Sequence, residues 1–89
     1  MTETRDQARA PEAVLAEVVR IVVRVTRRAQ PGAGMETKLY DLDGLDSLRL
    51  LEAVALAEEA FGVLVETGGL GQLETLGDIV RLVAAGRPG

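Results

Sequence analysis

Ser47 stands in Gly-Leu-Asp-Ser-Leu, residues 44–48, with Asp41, Asp43 and Asp46 just before it and a long apolar-patterned segment directly after. A serine hydroxyl becomes a nucleophile only where a neighbouring base takes its proton and a third group orients that base. The chain has no His and no Cys, which excludes the usual triad and every thiolate. Lys38 is its only lysine and a weak substitute for the missing base. Asp43 and Asp46 are of the right type for acid–base work or for a cation. However, Asp41-x-Asp43-Gly44 lacks the later ligands that a calcium loop needs. Gly68, Gly69 and Gly71 do not lead into a helix with the lysine of a phosphate-binding loop. No self-sufficient active site emerges. Ser47 then has two readings. It caps the following helix, or Asp46 supplies the cap and leaves the hydroxyl at the electropositive helix tip, where a phosphate ester is favoured.

Three helical segments would position that junction. Pro11 suits a first helical position, and Val14, Val18, Ile21, Val22 and Val25 recur behind it at helical spacing. Glu12 and Glu17 come early and Arg24, Arg27 and Arg28 late, in the order a helix dipole favours. The rival is a strand, because Val-Val-Arg-Ile-Val-Val-Arg-Val is rich in β-branched residues. Residues 30–35 end this helix and open a connection to about Asp46, which Leu39, Tyr40, Leu42 and Leu45 pin to the bundle. A second helix is expected from Ser47 to Phe61. Leu50, Leu51, Val54, Ala57 and Phe61 form its inner face, Arg49, Glu52, Glu58 and Glu59 face water, and Gly62 ends it. Residues 63–74 read as a short strand or an irregular connection with one weak helical turn. Thr75 and Asp78 form a capping arrangement for a last helix, Leu76 to Ala85, with Leu76, Ile79, Val80 and Val83 inside. The domain expected is 11–85, between flexible ends at 1–10 and 86–89.

Composition limits what such a domain can do. The 89 residues are 47% apolar but include only Tyr40 and Phe61 as aromatics, so one small aliphatic core is expected. Residues 1–35 carry +2, residues 36–66 carry −6 and residues 67–89 are neutral. The acidic middle third disfavours nucleic acid and favours partners with basic patches, unless the acids merely keep the surface soluble. The polar start, Met1 to Val14, lacks a signal-peptide core, and no segment is apolar for long enough to span a membrane. A soluble, cytoplasmic monomer is the expectation.

Gly44-Leu-Asp-Ser-Leu48, then Leu50-Leu-Glu-Ala-Val-Ala-Leu-Ala-Glu-Glu-Ala-Phe-Gly-Val63, then Leu73-Glu-Thr-Leu-Gly-Asp-Ile-Val-Arg-Leu-Val83 resemble the acyl carrier protein family across roughly residues 12–85. The resemblance implies an all-α four-helix bundle with a long first loop and a short, irregular third helix. It implies that a phosphopantetheinyl transferase attaches 4′-phosphopantetheine from coenzyme A to Ser47, making the chain a phosphoprotein that is a carrier and not a catalyst. Acyl or aminoacyl groups would ride as thioesters on the arm, placed there by a loading enzyme and passed to synthase or tailoring enzymes. Asp46 and Leu48 match the residues flanking the family serine, and Glu52, Glu58 and Glu59 match its partner-facing acids. Arg49 stands where many fatty-acid carriers have an acid or a small polar residue. Leu42-Asp-Gly-Leu-Asp-Ser47 inverts the commoner order, residues 68–73 are glycine-rich where the short third helix falls, and a proline common after the second helix is missing. These departures point to a discrete carrier of polyketide or peptide natural-product assembly. Peptidyl carriers usually have Gly-Gly before Asp-Ser or His-Ser, so Gly44-Leu-Asp-Ser leans toward acyl cargo. A stand-alone aminoacyl carrier and an unmodified helical interaction module are the alternatives.

Overall fold

A computed structural model describes residues 10–65, 68 and 70–89. Among these, α1 spans Pro11–Thr26, α2 Ser47–Phe61 and α3 Leu76–Ala84. Two-residue strands β1 (Val63–Leu64) and β2 (Arg87–Pro88) pair antiparallel, Val63 opposite Pro88 and Leu64 opposite Arg87. The chain is therefore mostly helical with a small ribbon. Where a short third helix was expected there is a single 3-10 turn, Leu70–Gln72. The expected frayed start, apart from Ala10, lies outside the described residues, as do Glu66, Thr67 and Gly69.

Helix wins over strand in α1 because Val14, Val18, Ile21 and Val22 are all buried, a spacing of one face of a helix and of neither face of a strand. Burial of that stripe outweighs the few tenths of a kcal/mol that each valine costs in a helix. The helix stops sooner than its arginines suggest. Thr26 is buried, and its hydroxyl donates to the Val22 carbonyl at 2.7 Å and accepts from the Arg28 N–H at 3.2 Å, a side-chain alternative to further helix. Arg27 then turns left-handed, φ 57°, with its N–H on the Val23 carbonyl at 2.7 Å. Val25 is only half-buried.

On α2 the buried residues are Leu50, Ala53, Val54 and Ala57. Leu51, expected inside, is 51% exposed, and Phe61 is half-buried. Two alanines complete the i, i+3, i+4, i+7 stripe, and Leu51 lies off it. Gly62 closes the helix at φ 64°, the left-handed C-terminal position that favours glycine. α3 buries Leu76, Gly77, Ile79, Val80 and Val83. α1 packs against both other helices.

The long connection is held at three places. Leu39, in a 3-10 turn over Leu39–Asp41, and Leu42 and Leu45 insert into the core, while Tyr40, expected to pack, is 64% exposed. The Gln30 amide grips the Asp43 backbone, donating to its carbonyl at 2.7 Å and accepting from its N–H at 2.9 Å. At α3, the Leu76 and Gly77 N–H groups donate to the carbonyls of Thr37 and Met35 at 2.9 and 2.8 Å. Residues 86–89, expected as a loose end, carry β2, and the Gly89 N–H reaches the Gly62 carbonyl at 2.9 Å. No helix of the described residues is long and apolar enough to cross a membrane.

Candidate functional site

Ser47 is the first residue of α2 and is exposed. Its position is set from both sides by burial, with Leu45 anchored two residues before and Leu50 three residues after. Gly44 makes the approach possible. Its φ of 79° is a glycine conformation, and a Cβ there would lie 3.3 Å from Thr26 Cβ and from Arg28 Cγ. The turn that presents the serine is thus pressed against the end of α1, where Arg28 also pairs with Asp43 at 3.7 Å.

Asp46 is the cap. Its Oδ1 accepts from the Arg49 N–H at 2.8 Å, and its Oδ2 accepts from the Arg49 guanidinium at 3.0 Å. The Ser47 hydroxyl is therefore not needed as the cap, and the residue that bears it opens the first turn, whose N–H groups attract an anion. The Asp46 carboxyl is held below the ordinary carboxylate range, chiefly by the Arg49 backbone N–H and further by its guanidinium. Such a carboxylate is a poor acceptor for a serine proton. Asp43 is engaged through its backbone and through Arg28. The backbone of Lys38 forms an isolated bridge with Thr75, which places this residue beside the start of α3. No group of three or more Asp and Glu among the described residues is placed to hold a metal ion. The site offers an exposed hydroxyl on a backbone fixed by the helix start.

The docking candidates separate in space. Leu48, 66% exposed, and the exposed Glu52 and Glu59 fall at spacings of four and seven on one face of α2. Leu51 and Ala55 are exposed beside them, so an aliphatic patch with an acidic border runs away from Ser47. Leu51 was missed as part of this surface. Adding Ala53 to Leu50, Val54 and Ala57 completes the stripe and leaves Leu51 outside it. Arg49 is half-buried and paired with Asp46. Glu58, expected to face partners, is half-buried instead, and its Oε2 accepts from the Val65 N–H at 3.0 Å, tying α2 to the segment after β1.

A family model described as a phosphopantetheine attachment site matches residues 16–83, more than half of the chain. No curated protein matches the chain.

Proposed function

Since the chain belongs to the phosphopantetheine attachment site family, whose members are carrier proteins with a covalent 4′-phosphopantetheine, we propose that Ser47 is the attachment residue. The observation that carries this reading is an exposed hydroxyl at the first position of α2 whose capping role Asp46 has already taken. When bound, the prosthetic group supplies the thiol that a cysteine-free chain lacks. The residues around it supply placement: Gly44 and Leu45 fix the turn, and the first-turn N–H groups favour the phosphodiester charge. In this reading a separate transferase supplies the base, because both oxygens of the neighbouring Asp46 carboxylate are already engaged by the Arg49 N–H and guanidinium. The cargo proposed is acyl, carried as a thioester in polyketide- or fatty-acid-type biosynthesis, on a cytoplasmic monomer without catalytic activity. Support for acyl cargo is the Leu45-Asp-Ser47 context, and the aliphatic patch of Leu48 and Leu51 suits transient docking by the enzymes that load and unload the arm.

Incubation with coenzyme A and a broad-specificity phosphopantetheinyl transferase, followed by intact mass, tests the attachment. Wild type gains one phosphopantetheine and Ser47→Ala gains none. A wild-type chain that stays bare would leave only the helical interaction module. Loading of the modified protein by an aminoacyl-activating enzyme, and not by acyl or malonyl transferases, would replace acyl cargo with aminoacyl cargo.

A further inference from the structure

Positive charge along α1 and the start of α2 is unevenly neutralised. Arg20 pairs with Glu17 at 2.6 Å, Arg28 with Asp43 at 3.7 Å and Arg49 with Asp46 at 3.0 Å. Among the described residues, Arg24 and Arg27 have no carboxylate within ion-pair distance. Both line an open groove between α1 and α2, with Arg49 on the opposite wall, half-buried Val25 and Leu56 as the aliphatic floor and exposed Ala55 at the edge it shares with the Leu48 face. Glu52 is the one carboxylate on its border. Arg27 also occupies the left-handed position that ends α1, φ 57°, where glycine costs less. An arginine in this position adds a charge to the groove at the expense of backbone ease.

These features select the class of occupant. The groove lies at the C-terminal end of α1, which presents carbonyl groups, and the Arg27 N–H is already on Val23. A phosphate site would bring several N–H donors together, whereas the residues lining this groove are three arginines, one glutamate and three aliphatic residues. Cationic side chains around an aliphatic floor match instead a protein segment whose apolar residues are flanked by carboxylates. We propose that the α1–α2 groove is a second docking surface, lying beside the acidic Leu48–Glu52–Glu59 face, that takes an acidic amphipathic segment of a partner enzyme. That the partner is an enzyme serving the arm rests on the carrier reading above. The preference of the groove for acidic peptide does not.

The test titrates a synthetic helical peptide, with leucines on one face bordered by glutamates, into the isotope-labelled full chain and follows amide resonances. Shifts should concentrate at Arg24, Arg27, Arg49, Ala55 and Leu56. Joint Arg24→Glu and Arg27→Glu substitution should weaken binding about tenfold or more, and added salt should weaken it in the wild type. Arg27→Gly separates docking from folding, because binding should fall while the thermal midpoint holds or rises, glycine being at ease in the left-handed turn. Equal affinity in these variants, equal shifts at Arg20 and Arg87, or the same shifts produced as readily by coenzyme A alone would overturn the proposal. Attachment at Ser47 is read separately by mass, so a bare serine with intact peptide binding sinks the carrier reading alone.

Discussion

At Leu50 and Leu51 two identical side chains, adjacent in sequence, have opposite fates, 5% and 51% exposed. The contrast yields a paired expectation. Leu50→Ala removes a core side chain and should cost about 2–5 kcal/mol through lost burial and the cavity left behind. Leu51→Ala should stay within about 0.5 kcal/mol, as surface substitutions generally do. Urea denaturation of both variants checks the pair, and equal losses would put Leu51 back in the core. Leu48→Ala and Glu52→Lys act on the exposed face, so each should slow loading by a partner enzyme while the circular dichroism melt stays near that of wild type. Asp46 as the cap was one of two readings legible in the sequence, beside Ser47 itself, because the arrangement is local: a cap needs one acceptor, and Asp46 stands where the acceptor belongs. The roles of Arg49 and Glu58 were not legible. One depends on a side chain folding back onto the cap, the other on where the segment after β1 returns.

Helix boundaries divide along the same line between local and distant causes. α2 begins at Ser47 and ends at Phe61 as expected, because Asp46 and Gly62 mark its two ends with their own chemistry. α3 begins as expected too, since Thr75 and Asp78 form a full capping box in which each bonds the backbone of the other. The end of α1 was not legible. It depends on left-handed Arg27, a residue type that does not announce a turn, and on the Thr26 hydroxyl that accepts from the next N–H, that of Arg28. β2 also escaped notice, because two residues between glycines have no periodicity and acquire their register only from β1. The capping box has a consequence for acid stability. The N–H groups of Glu74 and Thr75, and then the Arg81 guanidinium, hold the Asp78 carboxyl at about 2 against an ordinary value of 3.8. A depressed folded value stabilises the ionised form, so the contribution of Asp78 is complete above 3.8, shrinks as pH falls toward about 2 and is gone below that. Asp46, lowered as well, acts in the same direction. Thermal melts through this acid range should therefore show falling stability in the wild type, with a shallower fall in Asp78→Asn. Identical pH profiles for the two proteins would deny Asp78 this role.

Over the whole molecule, the connection between α1 and α2 joins the start of α3 to the serine. Its carbonyls at Met35 and Thr37 accept two of the N–H groups that the first turn of α3 cannot bond internally, and Thr75 accepts a third from Asp78. From there the chain passes through buried Leu39, Leu42 and Leu45 to Asp46 and Ser47. Gly77 permits the contact: a Cβ at this residue would lie 2.8 Å from the Met35 carbonyl oxygen, which is backbone and has little room to yield. Gly77→Ala should therefore destabilise by about 1–3 kcal/mol through overpacking, despite the better helix propensity of alanine. If the connection moves away to relieve the contact, its amides from Thr37 to Leu45 should exchange hydrogen faster while those of α1 and the middle of α2 keep their protection. Transfer of phosphopantetheine to Ser47 should slow in the same variant, because the turn that fixes the hydroxyl is the far end of the loosened segment. A variant with wild-type stability and wild-type exchange along residues 37–45 would show that α3 and the serine turn are held independently of each other.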